Sequence, residues 1–228
     1  AIALIFGVLG RVTEFSTATI MWLSLSGISH FVWGRYWNYR AVRAMGANLV
    51  GPVQQLSIIL SLGLAIGVLD EVLTPLRMLG IVLVVGGPIA MLRGRTGAKK
   101  ENAWEAPAKA AFTPKYAEGY LCAALSSTGY GTSSVLVRLG LADTDPAAGL
   151  PGVFVAYLAA TLVVGAALAR PSQMRHVLSM EVSTMGWFSL SGLLVGVSHM
   201  FRYMALTIIP VTVAAPLQQT QAIFRLLF

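Results

Sequence analysis

The feature that most constrains this chain is the spacing of its charges. Phe15–Gly34, Ala44–Leu69, Met78–Leu92, Gly119–Val137, Pro146–Ala169, Val182–Phe201 and Tyr203–Phe224 contain no Lys, Arg, Asp or Glu. Most of these gaps approach or exceed the roughly 20 residues a helix needs to cross the hydrocarbon core. Several such stretches in one chain point away from a water-soluble fold and towards a polytopic membrane protein. Composition agrees, with 56% hydrophobic and 11% charged residues, about half the charged fraction usual in a soluble domain. Mean hydropathy is +0.73.

Read from these gaps, the helical segments are Ala1–Gly10, Ser16–Trp37, Ala47–Leu69, Leu76–Leu92, Tyr116–Leu139, Leu150–Ala169, Met185–Ile209 and Val211–Phe228. Membrane strands would alternate polar and apolar residues over about ten positions, and nothing here does. The expected fold class is therefore all-α, a transmembrane helix bundle. Turn signals at Gly46, Thr74-Pro75, Asp143-Thr-Asp145-Pro146 and Pro210 fall between the segments. Arg93–Lys115 carries Arg93, Arg95, Lys99, Lys100, Lys109 and Lys115 against Glu101 and Glu105, which suits a solvated connector. Cys122 stands alone, so no internal disulfide can form.

An internal repeat organises the chain. Trp22-Leu-Ser-Leu-Ser-Gly27 recurs as Trp187-Phe-Ser-Leu-Ser-Gly192. Tyr39-Arg-Ala41 recurs as Tyr203-Met-Ala205, and Gly51-Pro52-Val-Gln54-Gln55 as Ala215-Pro216-Leu-Gln218-Gln219. The offset is about 165 residues, with a one-residue slip between the first block and the later two. The domain expectation is a first repeat over 1–92, a basic linker over 93–115 and a second repeat over 116–228. Completing each copy from the other predicts five spans per repeat and ten in all, of which eight are seen and the first and last are missing. Five is odd, so the two repeats would be inverted in the bilayer, an arrangement found in secondary transporters with a midplane site.

Trp22–Gly27, Tyr39-Arg-Ala41, the Pro52-centred span and Asp70–Gly86, with Glu71, Gly80 and Gly86, resemble the last three spans of an EamA-type repeat. That family belongs to the drug/metabolite transporter superfamily. The resemblance implies ten helices, a central cavity and movement of small metabolites or drug-like solutes across the cytoplasmic (inner) membrane, often outward. It implies a transporter and not an enzyme. A non-transporting scaffold or a membrane-embedded transferase is the competing reading, but no cluster of acidic or histidine residues suits a transferase.

The repeated Pro-x-Gln-Gln is the first candidate site. Pro52 and Pro216 each strand the carbonyl four residues earlier, on Asn48 and Thr212, and predict a helix break there. Gln54, Gln55, Gln218 and Gln219 offer donors and acceptors without a buried charge; they can line a cavity or bond helices together. Tyr39 and Tyr203 recur in both copies and join them as cavity candidates. His30 and His199 lie in charge-free stretches and suit either packing or carriage of a coupled proton. Arg202, one helical turn beyond His199, would hold an anionic substrate group or snorkel to the interface. Trp22, Trp33, Trp37, Tyr39 and Trp187 read as an interfacial belt or a stacking set. Asp70 and Glu71 read as span-boundary or cap residues, and Gly63/Gly67 as a close-packing pair.

No metal-ligand spacing, phosphate-cradling loop or nucleophile elbow is present in the sequence, so no cofactor is expected. The net charge of +7 sits in loops around apolar spans and points to topology and anionic lipid, not to nucleic acid. Expected partners are a small-molecule substrate, the lipid bilayer and a coupling proton or ion, with a homodimer left open. Alternating the loops puts Arg40, Arg43, the linker, Arg170 and Arg175 on one face and Arg11, Arg77 and Arg138 on the other. The positive-inside rule makes the first face, with the linker, cytoplasmic. The family resemblance puts the linker outside.

Overall fold

The structure, a computed structural model, describes residues 8–83, 86, 113–142, 144–169, 173–175, 179 and 181–218. Among the described residues every regular element is helical. In chain order these are α1 (Val8–Val12), α2 (Thr17–Gly27), a π-helical segment (Ile28–Gly34), α3 (Arg35–Met45), α4 (Ala47–Gln54), α5 (Leu56–Leu69), α6 (75–83), α7 (Tyr116–Leu141), a 3₁₀ turn (Pro146–Ala148), α8 (Gly149–Leu168), α9 (Val182–Ile208) and α10 (Val211–Gln218). The expected span bounds hold to within a few residues for α7, α8 and α9, and the expected Ala47–Leu69 span is divided at Gln55 into α4 and α5. The expected Ser16–Trp37 span runs on as continuous helical structure to Met45. It stops where Gly46 takes φ 86°, a backbone state open to glycine. Most of the expected linker, the ends of the first and last spans, Pro88 and Gln219 lie outside the described residues.

The chain forms two compact units that interleave the sequence halves: Ala1–Trp33 with Thr132–Val211, and Gly34–Gly131 with Thr212–Phe228. In the first unit α2 packs along α8, and α8 packs against α9. The approach is close because small residues meet backbone: a Cβ on Gly27 would lie 2.1 Å from the Ala156 carbonyl oxygen, and one on Gly149 2.7 Å from Met204 Cα. Such contacts replace the hydrophobic drive that is missing between helices in lipid. Arg138, read above as a loop charge, is half-buried in α7 and donates to the Leu206 and Thr207 carbonyls at 2.9 and 2.8 Å. It satisfies the otherwise stranded carbonyls at the end of α9.

The second unit has its own core of Ala41, Met45, Val50, Cys122 and Ala123, with Trp37, Val42, Leu49 and Val53 packed against it. Ser126 donates to the Gly34 carbonyl at 2.8 Å where the π segment passes into α3. Glu71 accepts from the Thr212 amide at 2.8 Å, and Arg77 donates to the Thr212 hydroxyl at 3.2 Å. The Glu71 carboxylate thus caps the first turn of α10, as a charge at a helix N-terminus should. Arg40 lies over the Trp37 ring at 5.6 Å and pairs with Glu118 at 2.8 Å, beside Arg43 and Lys115 in a half-open basic groove.

Two details depart from expectation. Pro52 lies inside α4, at the sixth of its eight positions, and Pro216 lies inside the described part of α10; the helix continues past each of them. The carbonyl that Pro52 strands, on Asn48, belongs to the first turn of α4, next to non-helical Gly46. The breaks fall at Gly46, at Gln55 and at Ile209–Pro210. Gly63 and Gly67 face open space and pack no neighbouring helix among the described residues. Close packing instead uses Gly27, Gly119, Gly131 and Gly149.

The outer surfaces are apolar. Val182, Trp187, Phe188, Leu193 and Leu194 of α9, and Leu158, Leu162, Val163 and Val164 of α8, are all exposed. Water-soluble proteins rarely expose patches on this scale. Leu49–Leu69 and Pro146–Leu168 are long and apolar enough to cross a bilayer. These surfaces belong in lipid, and the chain is a membrane protein.

Candidate functional site

The richest polar cluster lies within the first unit, and its geometry starts from a helix irregularity. The stretch from Trp22 to Tyr39 is one residue longer than the similar stretch from Trp187 to Tyr203. The second stretch is regular α-helix within α9, whereas the first holds the π segment Ile28–Gly34. A π-bulge accommodates one extra residue in a helix and is frequent at functional sites. His30 and Phe31 sit inside it. The bulge re-aims both relative to the α-helical path before them.

His30 Nε2 faces His199 Nε2 at 3.0 Å, and the two rings meet edge to face at 74°. His199 Nδ1 lies 2.9 Å from the Val195 carbonyl, which only accepts, so Nδ1 carries hydrogen. Neutral His199 then presents a lone pair at Nε2, and His30 donates to it. That leaves the His30 Nδ1 lone pair towards Ser133 Oγ at 3.1 Å and Arg202 NH1 at 3.4 Å. Arg202 NH2 donates to Ser133 Oγ and Ser134 Oγ at 3.0 and 2.7 Å. For neutral imidazoles the result is one directional network, from Arg202 through His30 and His199 to the α9 backbone.

Around it, Phe31 stacks on Tyr157 with centroids 4.2 Å apart, and Phe31 and Tyr157 lie 4.9 and 6.1 Å from the His199 ring. Tyr203 is fully buried; its hydroxyl is 3.2 Å from Ser26 Oγ, which donates to the Ser133 carbonyl at 3.1 Å. Arg202 therefore turns inward and does not snorkel. Among the described residues it has no carboxylate partner, and its enclosed Nε has no acceptor.

The other candidates belong to the second unit. Gln54 donates to Asn38 Oδ1 at 2.6 Å, an interhelical tie between α4 and α3. Gln55 is buried, and its side-chain oxygen has no donor among the described residues. Gln218 is half-buried at the end of α10. Tyr39, paired by sequence with fully buried Tyr203, is 65% exposed, so repeated identity does not bring repeated environment. Trp33 and Trp187 are also exposed, as an interfacial belt requires.

Sequence reasoning missed Ser133, Ser134, Phe31 and Tyr157. One signal was available: the doublets Ser126-Ser127 and Ser133-Ser134 stand one heptad apart in a charge-free span, so both lie on one helix face. All four serines are buried. Tyr157 likewise interrupts an otherwise apolar stretch of α8.

The model of the EamA-like transporter family matches residues 1–93 of the chain. No curated protein and no solved structure gives a significant match.

Proposed function

We propose, from the premise that residues 1–93 are an EamA-like transporter sequence, that this chain is a secondary transporter of small organic solutes. It works in the cytoplasmic membrane by alternating access between inverted repeats, moves solute outward and draws on an ion gradient. The observation that carries this reading is the His30–His199–Arg202–Ser133–Ser134 network inside an apolar helical unit. Ionisable groups in such a setting are costly and mark solute or ion paths. A guanidinium held by hydroxyls and imidazole supplies donors for a solute, and a neutral histidine pair supplies a proton site near neutral pH.

Tyr203 positions the α7 end of this network through Ser26. The amides Gln54, Gln55, Gln218 and Gln219, with Tyr39, serve the solute path as uncharged donors and acceptors. The recurrence of Pro-x-Gln-Gln at Pro52–Gln55 and Pro216–Gln219 supports that role.

Transport in proteoliposomes tests the proposal. The full chain is expected to move solute above the rate of empty vesicles. Gln54→Ala combined with Gln218→Ala is expected to lower the rate at least about tenfold, equivalent to about 1.4 kcal/mol. Full transport by the double variant removes the amides from the mechanism. No transport by the folded parent chain removes the transporter reading.

A further inference from the structure

We propose that Arg202 is the receptor for a carboxylate group on the transported solute, and that the His30–His199 pair takes up one proton when the carboxylate binds. The proposal rests on the transporter reading and names its substrate class.

The case starts with an unbalanced charge. Arg202 is a permanent cation inside a helical unit, and among the described residues no carboxylate faces it. A charge so placed is destabilising unless a counter-charge or a full set of acceptors meets it. Three neutral acceptors meet it: Ser133 Oγ, Ser134 Oγ and His30 Nδ1. These take both NH2 hydrogens and one NH1 hydrogen and leave Nε enclosed without an acceptor. A planar carboxylate accepts two parallel hydrogen bonds from one guanidinium edge, and such charge-assisted pairs are about twice as strong as neutral ones. A carboxylate on the Nε–NH2 edge satisfies the orphaned donor and takes over the NH2 hydrogen from one of the two serine hydroxyls. A dianionic phosphate would bring two charges to a single permanent cation, so a monoanion fits better.

The proton follows from the same geometry. A carboxylate on Arg202 comes near His30 Nδ1, which carries a lone pair in the neutral network. Two acceptors then face one another. A proton from solvent on His30 Nδ1 ends its 3.4 Å contact with Arg202 NH1 and converts that repulsion into a charge-assisted hydrogen bond to the carboxylate. The bond from His30 Nε2 to His199 Nε2 is undisturbed, because His30 already donates there. Net charge at the site is the same before and after, since one positive and one negative charge arrive together. Among the described residues the ionisable groups beside the pair are Arg202 from α9 and Tyr157 from α8, with Tyr203 next along α9 held by Ser26, and α7 brings the hydroxyls of Ser133 and Ser134.

Proton uptake on binding requires that affinity fall as pH rises, by reciprocal linkage. The experiment is calorimetric titration of the detergent-purified full chain with benzoate, benzylammonium and inorganic phosphate. It is run at about pH 6 and about pH 8, in two buffers of different ionisation enthalpy. Benzoate is expected to bind, with affinity at least about tenfold higher at the lower pH and close to one proton absorbed per benzoate. Arg202→Gln is expected to lose benzoate binding, Arg202→Lys to keep a weakened form, and His30→Gln to bind benzoate without the pH dependence. Circular dichroism and gel filtration identify any variant that has lost its fold, and His30→Gln keeps the test alive if Arg202→Gln is one. Equal benzoate binding by folded Arg202→Gln, stronger binding of benzylammonium or phosphate, or benzoate binding with no proton uptake overturns the proposal. Transport of uncharged solutes by a chain that fails to bind benzoate sinks the carboxylate assignment and leaves the transporter reading standing.

Discussion

Gly27→Ala is expected to destabilise the first unit by roughly 1–3 kcal/mol, at the upper end of what one added methyl group does in a packed core. The added carbon would sit 2.1 Å from the carbonyl oxygen of Ala156, which is backbone and has no rotamer to retreat into. Relief requires α2 and α8 to separate, and that loosens Leu23, Val155 and Ala156, all of which are buried. The same change at Gly192, which holds the matching place in the repeated Trp-x-Ser-Leu-Ser-Gly block, meets nothing within 4 Å. Gly192→Ala should leave thermal stability unchanged or raise it, because alanine is the better helix former by about 1 kcal/mol. Melting temperatures of the two detergent-solubilised variants give the comparison. Equal melting temperatures would mean that the α2–α8 approach is not as close as described.

The second large effect is expected from removing one residue, Ser29. Without it, the segment between Gly27 and Arg35 has the residue count of its counterpart in α9 and can close as ordinary α-helix. Each residue turns a helix by about 100°, so His30 and Phe31 are carried away from Ser133, His199 and Tyr157. Helix content should be preserved while transport falls to the level of empty vesicles. A substitution such as Ser29→Ala keeps the residue count and should keep most activity. Transport by the deletion variant at the parent rate would separate the bulge from function.

These two sites mark where the sequence was informative and where it was not. Among the described residues, charge-free lengths located α7, α8 and α9 to within a few residues, because the cost of a lone charge in hydrocarbon acts along the chain, one segment at a time. Gly46 was legible as a boundary for a similar local reason. Which helix faces meet is a different matter. His30 and His199 stand far apart in sequence, and no periodicity within either helix says that their rings will share a hydrogen bond. The one-residue slip between repeats was visible, but a slip can be absorbed in a loop as readily as in a helix. Its place within the π segment emerged only from the backbone.

Symmetry also misled in places. Tyr39 and Tyr203 correspond by sequence, yet one is exposed and the other fully buried, because burial depends on what packs alongside. Gly63 and Gly67 had the spacing of a packing pair but no helix against them among the described residues. Glu71 was the opposite case: a cap role was readable from its place at a span boundary, though its partner, the Thr212 amide, was not.

The core of the second unit has a practical consequence. The chain's single thiol, Cys122, is 2% exposed and lies among Ala41, Met45, Val50 and Ala123. A maleimide reaches it only when that core opens, so its modification rate reads the local opening equilibrium of the unit. Labelling should be slow in the folded chain and accelerate in Met45→Ala, where a gap adjoins the sulfur. Rapid labelling of the folded parent would contradict the burial. With no other cysteine to compete, the protein carries its own clock for this motion, and no probe has to be introduced.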